Sequence, residues 1–565
     1  MTIYASTFAP AVVPRNESFW QCILRLNVDD TPDDKVILQE HERPHKQFTY
    51  ASAPHLAGLG ADGLREVLSL KRGDTVLIVG SNTLDYLHIE LAALWMGVTA
   101  ALGNESATTS DLVHMINTVQ PVAVFCDAAL MESMGKALQE STTDTTKPKP
   151  PLVGIGERGT AGLAFPDDFI RDTTDKAKPS PPLDLSKEDS HTVPALICFS
   201  SGTTSGMAKA AVLSHYNVLA YPLLYRASEP STATSRERDV FYRPLSHIYG
   251  VFVTATALYT GGYVRLLRSY TLPTYLAACV ASRATTLRMV APTVVDVVKL
   301  LQDPSSVSMD LSSVKTIVCA GAMLPPEMIT AVQTLLGNDV AIVQAYGMTE
   351  GLATVVSRAA GARKPGSVGR PLSGGQLRIV DDSMDDVQPG QEGEIIFTSP
   401  TVFMGYRDEK FDGGDAFVQK NGQAWLRSGD VGRMDSDGFL WLTDRKKDMI
   451  KYNSNQVSPA ELEGLLLSHP LVLEAGVCAT WDAVQQTEVP IGYVRLTESV
   501  ADIDNTREKE KVLAEIRAFV DGQVASHKKL RGGLVHLPTM PRNATGKLLR
   551  RNLPARLEAK RTSSL

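Results

Sequence analysis

The stretch Cys198-Phe-Ser-Ser-Gly-Thr-Thr-Ser-Gly-Met-Ala-Lys-Ala-Ala-Val-Leu-Ser-His215 decides the reading of this chain. Its apolar lead-in, Ala195 to Phe199, reads as a buried strand, and Ser200 to Gly206 then combines two glycines with a run of hydroxyls and no bulky side chain. Glycine allows positive φ and close backbone approach, hydroxyls donate to anionic oxygens, and Lys209 adds a mobile positive charge. A loop of this kind folds its amides toward a polyphosphate; the alternative is a Ser/Gly-rich surface turn, which its position after a strand disfavours. It is not a Walker-type P-loop. Only three residues separate Gly202 from Gly206, Lys209 follows three later, and Ala210 stands where a magnesium-binding hydroxyl would be required.

Four further segments follow at wide spacing: Tyr346-Gly-Met-Thr-Glu350, Ser428-Gly-Asp430, Asp444-Arg-Lys-Lys-Asp-Met-Ile-Lys451 and Asn543-Ala-Thr-Gly-Lys547. With the phosphate loop, they resemble in order and spacing the adenylate-forming superfamily of acyl-CoA synthetases, peptide-synthetase adenylation domains and luciferase. The resemblance runs from about residue 20 to 555, and the segments 243–250 and 311–351 are most similar to coumarate:CoA ligases. It implies an α/β fold: a large N-terminal domain (1–446) of layered α/β subdomains plus a β-barrel-like part, and a small mobile α+β C-terminal domain (447–565).

Composition agrees with such a protein. A chain of 565 residues exceeds one core and predicts two or more domains. Hydrophobic residues at 43% and charged residues at 21% are those of a globular protein, and a net charge of −7 argues against nucleic-acid partners. The six cysteines are dispersed through apolar segments without metal-ligand spacing and read as reduced core residues. No membrane span or basic leader is evident, so the expected compartment is the cytoplasm; the ending Thr562-Ser-Ser-Leu565 reads as a frayed tail, with peroxisomal import as the alternative.

Periodicity places the motifs. Asp74 to Val79 and Val122 to Cys126 read as strands around a helix from Leu84 to Met96 that Gly97 closes, followed by a helix from Asp111 to Val119. The Pro-, Thr- and Lys-rich segment 141–190 reads as surface linker. Val314 to Ala322, Ala341 to Tyr346 and Phe439 to Thr443 read as strands, and Ala291 to Lys299 passes into an amphipathic helix on which Lys299 is solvated or near the pocket. Ser458, Pro459 and Glu461 read as the N-cap, first and third positions of a helix. Near the end, Val512, Ile516, Phe519, Val520 and Val524 form one apolar helix face, and Lys547 is expected on an exposed loop.

The resemblance also implies roles. Ser200, Ser201, Gly202, Thr203, Thr204 and Lys209 would hold the phosphates of ATP, with Gln344, Ala345, Tyr346 and Thr349 on the adenine and α-phosphate side. Glu350 would supply a hard oxygen to Mg2+. Asp430 would accept both ribose hydroxyls, assisted by Arg445. His247 would gate an acyl pocket formed with Tyr249, Gly250, Gly321, Ala322, Gly347 and Met348. Lys547 would be the mobile catalytic lysine, Lys451 would approach the acyl-adenylate, Lys447 would be the hinge, and Asn453 and Ser454 would lie on the coenzyme A path. The expected reaction is ATP-dependent ligation of an aromatic or medium-chain acid to coenzyme A through an acyl-AMP. Alternatives are delivery of the acyl group to a carrier protein, a non-catalytic nucleotide-binding regulator, and a luciferase-like oxidation. Ile248 stands where amino-acid adenylation domains usually carry an aspartate, which disfavours an α-amino acid.

Two departures stand out. The phosphate loop has one extra residue, most simply Ser205, with Ala208 where the family commonly has proline. Ser454 stands where coumarate ligases usually have the glycine that lines the pantetheine path.

Overall fold

The computed structural model describes residues 2–142, 149–159, 162–172, 177–200, 208–302, 309–320, 324, 326–337, 339–355, 364–407, 416–452, 455–501, 506–543 and 546–563. Among these, two large, mostly parallel sheets form the body. In the first, the strands run in the order Gly405–Tyr406, Lys209–Ser214, Pro194–Ser200, Thr99–Asn104, Thr75–Gly80, Ala123–Cys126, Leu152–Ile155, Ala164–Phe165. In the second the order is Arg370–Pro371, Gly351–Val355, Ala341–Met348, Thr316–Ala320, Thr286–Met289, Arg238–Phe241, Tyr263–Leu266, Val36–Glu40, Gln47–Thr49.

Strands covered on both faces need apolar residues at consecutive positions, and that is what the sequence supplies. Within Thr75–Gly80, Val76 and Ile78 face the central layer while Leu77 and Val79 face an outer layer carrying the helices Thr109–Val119 and Met131–Glu140. In the second sheet, Leu287, Ile317 and Ile342 face the outer helices Leu272–Ser282, Ala291–Gln302 and Pro326–Leu336. The central layer holds the helices Leu84–Met96, His215–Ser228 and Ile248–Thr260, buried along nearly their whole length. Trp20 anchors it at zero exposure, donating through Nε1 to the Leu91 carbonyl (3.0 Å) and packing against Trp95 at 5.4 Å between ring centres.

The expected elements are present with small boundary differences. Gly97 closes its helix at φ +77°, and Thr108 forms a capping box with Asp111, so the next helix begins at Thr109, two residues ahead of the expected start. The segment 141–190 corrects the linker expectation. Leu152–Ile155 and Ala164–Phe165 add two strands to the first sheet, because Val153, Ile155 and Phe165 bury against its edge.

The barrel-like portion is an antiparallel sheet of Tyr4–Ala5, Gln376–Val380, Gly393–Thr398, Gln423–Met434 and Phe417–Lys420, with Leu440–Arg445 paired to the long fourth strand. After Arg445 the chain enters a two-stranded ribbon, Ile450–Tyr452 with Asn455–Val457, and then a sheet of Val472–Asp482, Thr487–Leu496 and Leu534–His536. The helices Pro459–Leu467 and Thr506–Asp521 cover this sheet through Leu462, Leu466, Ile516 and Val520. Ser458 caps the first of these as expected, its side chain accepting from the Glu461 amide. Phe519 departs from the expected apolar face: it is 40% exposed, packing edge-on against His469 at 5.1 Å.

Candidate active site

A cavity of about 1970 Å³ lies between the C-terminal ends of the parallel strands and the last sheet. Crevices in open α/β sheets form there because strands end and loops diverge. Ser200 and Lys209 face each other as cross-strand partners, fixing both ends of the hydroxyl-rich segment; Ser201, Gly202, Thr203 and Thr204 lie outside the described residues. Lys209 reaches over the Tyr406 ring at 4.9 Å, and the Tyr406 hydroxyl donates to Glu350 Oε1 (2.6 Å). Lysine, tyrosine and carboxylate are thereby gathered at one end of the cleft. Thr349 and Glu350 are both buried in the turn that follows Ala341–Met348.

The middle of the cleft is organised by Asp430. Ser428-Gly429-Asp430 needs its glycine at φ +69°, and the Ser428 hydroxyl accepts from the Asp430 amide while donating to the Ile395 carbonyl. Asp430 Oδ2 accepts from the Tyr346 hydroxyl (2.7 Å), and Oδ1 faces Arg445 Nε at 3.3 Å. Each carboxylate oxygen keeps a further lone pair for an incoming donor. Gln344 and Ala345 both line the cavity; the Gln344 side chain also braces the wall, accepting from the Leu324 amide (3.0 Å) and donating to the Ser367 carbonyl (3.3 Å).

Lys547 enters this cleft from the C-terminal side and is not exposed as expected. Its turn explains the spacing of Asn543 and Lys547. The Asn543 side chain accepts from the Lys547 amide (2.8 Å), the Asn543 amide donates to the Lys547 carbonyl (3.0 Å), and Gly546 adopts φ +74°. A Cβ on Gly546 would stand 3.0 Å from Arg243 Nη1, so this glycine also permits contact with the body. Arg542 holds the turn by donating to the Gly546 carbonyl (2.7 Å) and pairing with Glu474 (2.5 Å). Burial, with Arg445 nearby, pushes the Lys547 amine down to about 8. Burial, Arg243 and Lys547 together hold the His247 imidazole down at about 4. Three basic side chains therefore converge where anions would meet.

At the acyl end, His247 caps the helix Ile248–Thr260, its Nδ1 accepting from the Tyr249 amide (3.1 Å). His247, Tyr249, Gly347 and Met348 line the cavity. Gly250 does not: its α-carbon faces the Leu245 backbone, where an added Cβ would lie 2.6 Å away, so it serves helix packing. Gly321 and Ala322 lie outside the described residues, as do Asn453 and Ser454. Tyr221, Tyr225, Phe252 and Arg288 complete the wall and add a buried cation to the expected pocket residues.

Lys447 lines the cleft, its amine pushed down to about 8 by burial and Arg445. Lys451 is exposed and outside the cavity, its amide donating to Glu488. Lys299 is neither solvated nor in the pocket; its amine bonds the Val472 carbonyl and ties the body to the last sheet. Sequence reasoning missed Arg243 and Arg288. Arg243 opens the Pro-Leu-Ser-His segment, and Arg288 is a lone charge inside an apolar strand, which is itself a signal.

Residues 24–407 match the AMP-binding enzyme family, and residues 461–547 match the AMP-binding enzyme C-terminal domain. The chain belongs to the AMP-binding enzyme family. Among its relatives, the probable 4-coumarate–CoA ligase 3 of Dictyostelium discoideum is 29% identical over 501 residues, spanning 86% of each chain. The acyl-CoA ligase azaF of Aspergillus niger is 30% identical over 530 residues, spanning 92% of this chain and 95% of that one. In fold the chain is similar to the anthranilate CoA ligase AuaEII in complex with anthranoyl-AMP, with a TM-score of 0.80 at 21% identity over 97% of this chain and 99% of that one. It is likewise similar to a benzoate CoA ligase from Burkholderia xenovorans, with a TM-score of 0.78 at 23% identity over 95% and 98%. Among the described residues, no helix is long and apolar enough to cross a membrane.

Proposed function

We propose that this member of the AMP-binding enzymes is an ATP-dependent carboxylic acid:CoA ligase working through an acyl-AMP. The observation that carries this is the delivery of Lys547 into a cleft shared with Asp430, Arg445, Thr349 and Glu350. In the first step a carboxylate oxygen attacks the α-phosphorus of ATP and pyrophosphate leaves. Two anions must approach, and Lys547, Arg243 and Lys209 offset their repulsion with preorganised donors. Thr349 donates toward the α-phosphate, and Asp430 with Arg445 receives the ribose. Glu350 suits Mg2+ carried by the nucleotide, since only its Oε1 is engaged, by the Tyr406 hydroxyl, among the described residues, and one hard oxygen beside phosphate oxygens is a common arrangement. That ion would neutralise charge on the phosphates.

In the second step the sulfur of coenzyme A attacks the acyl carbon, AMP leaves, and the thiol proton passes to solvent. We place the domain boundary between residues 446 and 447. Lys446 is fixed to the body by Glu394 (3.0 Å) and Asp382 (2.8 Å), while Asp448 pairs with Arg550 (3.3 Å) of the last domain. Rotation at Lys447 would withdraw Lys547 and bring exposed Lys451 toward the acyl-adenylate. The aromatic wall of Tyr221, Tyr225, Tyr249 and Phe252 supports a medium-sized, largely apolar acid without an ammonium group. The buried, free cysteines support a reducing, cytoplasmic compartment.

ATP–pyrophosphate exchange against an acid panel, with detection of CoA esters for each acid that exchanges, tests the reading. Exchange with ester formation is expected. Exchange without ester under saturating coenzyme A would move the acceptor to a carrier protein, and no exchange with any acid would overturn the adenylation reading.

A further inference from the structure

The acyl end of the cleft contains hydrogen-bonding capacity that an apolar acid leaves unused. Arg288 lies on the strand Thr286–Met289 between Leu287 and Met289, both packed in the outer core, so its side chain projects to the opposite, central face. It is 4% exposed and lines the cavity. Its Nε donates to Asp239 Oδ2 at 2.8 Å, and its guanidinium lies 5.8 Å from the Phe252 ring centre. Among the described residues, the buried Nη1 has no hydrogen-bond partner, and neither does the Tyr221 hydroxyl on the same wall; the Tyr249 hydroxyl sits beside the Arg288 guanidinium and has no acceptor for its own proton within hydrogen-bond geometry. Orphaned buried donors of this kind are rare, because leaving one unmade costs about 1–3 kcal/mol.

We propose that the acid carries a neutral oxygen acceptor, a ketone or ester carbonyl remote from its carboxylate, which Arg288 and Tyr249 receive. This rests on the carboxylic acid ligase reading and narrows its substrate class. Charge selects the neutral group: Asp239 already balances Arg288, so a second carboxylate would leave a net buried negative charge, which is costly. Donor balance selects a carbonyl over a hydroxyl. Two donors suit the two lone pairs of a carbonyl oxygen, whereas a hydroxyl would need an acceptor for its own hydrogen, and Asp239 Oδ1 is not on the cavity wall.

Position separates this group from the reacting centre. Arg288 is the register partner of Val318, and Val318 of Val343, so Arg288 stands two strand spacings, roughly 10 Å, from the strand leading to Thr349. Val318 and Val343 lie between them on the same face and floor the intervening stretch with apolar surface. Tyr249 and Phe252 stack nearly parallel (14°, 6.1 Å between centres), giving the acid a flat flank.

The test uses the full-length enzyme and a matched series of medium-chain acids: unsubstituted, with a ketone moved along the chain, with a hydroxyl, and with a terminal second carboxylate. The expected kcat/KM in pyrophosphate exchange is at least about tenfold higher for the best-placed ketone than for the unsubstituted acid, with the dicarboxylate poorest. Tyr249→Phe, which leaves the ion pair intact, should cut that ratio to a few-fold. Arg288→Met combined with Asp239→Leu, which strands no buried charge, should bring it near one. A wild-type ratio near one, or a ratio unmoved in both variants, overturns the inference while leaving the ligase reading standing. If no acid exchanges, the ligase reading fails; calorimetric binding of the ketone and unsubstituted acids then decides the pocket separately, and equal affinities overturn the inference.

Discussion

The layer between the two parallel sheets and the cleft beneath the last sheet are held together by different forces. In the layer, Trp20, Tyr86, Trp95 and Phe125 pack at or near zero exposure, and the helix Leu84–Met96 is buried on every side. Across the cleft, contact between body and last domain runs through polar groups: Lys299 on the Val472 carbonyl, Ser458 on Asp444 (2.9 Å), and Arg243 beside Gly546. Close packing is lost steeply with displacement, whereas polar groups exchange their partners for water when the two surfaces part. The first arrangement suits a fixed scaffold and the second a surface that separates in each turnover.

The largest expected effect breaks the scaffold. Trp20→Ala removes a buried ring and the donor to Leu91, and should lower unfolding free energy by about 3–5 kcal/mol in denaturant titration. Both half-reactions of the folded fraction should fall together. A loss confined to one half-reaction would contradict the assignment of Trp20 to the fixed layer.

Next comes Lys547→Ala, which should slow adenylate formation by about 10²–10³-fold. Thioester formation from supplied acyl-AMP should stay within a few-fold, because the proposed rotation withdraws Lys547 in that step. Equal loss in single-turnover measurements of both steps would contradict the two-position scheme. Stability should hardly change, in contrast to the Trp20 variant.

A smaller effect is expected from Lys447→Pro, which fixes φ near −65° at the proposed hinge. The second half-reaction should slow by about tenfold and the first by less. An unaltered second step in rapid-quench assays would remove Lys447 as the hinge.

The smallest effect is a pH dependence. The Lys547 amine lies below its ordinary value, at about 8, so its protonated form is lost as pH rises through that region in the free enzyme. kcat/KM for adenylation should therefore decline above about pH 8. Lys547→Arg keeps its charge well beyond that range and should flatten the alkaline limb even if its rate is lower. A limb identical in both proteins would assign the titration to another group.

Much of this was legible in the sequence because it is written in local rules. Consecutive apolar runs announced doubly covered strands, Gly97 and Ser458 announced helix ends, and the spacing of Asn543, Gly546 and Lys547 is satisfied by one turn's own hydrogen bonds. Other features depend on what lies across a gap in space. Nothing local to residues 152–165 distinguishes linker from edge strand until the Ala123–Cys126 strand offers a partner. Gly250 reads as pocket floor until the Leu245 backbone is found against it.

The sequence by itself determined the strands and helices around the motifs, the order of the five motifs and the residue types gathered for phosphate, ribose and carboxylate. Only the tertiary structure decided that Lys547 enters the cleft that Asp430 lines, that Gln344 braces the wall, and that Arg288 faces the acyl end with Asp239 as its counter-ion. The reason is physical. Backbone conformation and burial pattern depend on neighbours along the chain, whereas a side chain's charge state and free hydrogen-bonding capacity depend on groups hundreds of residues away that only packing brings within reach.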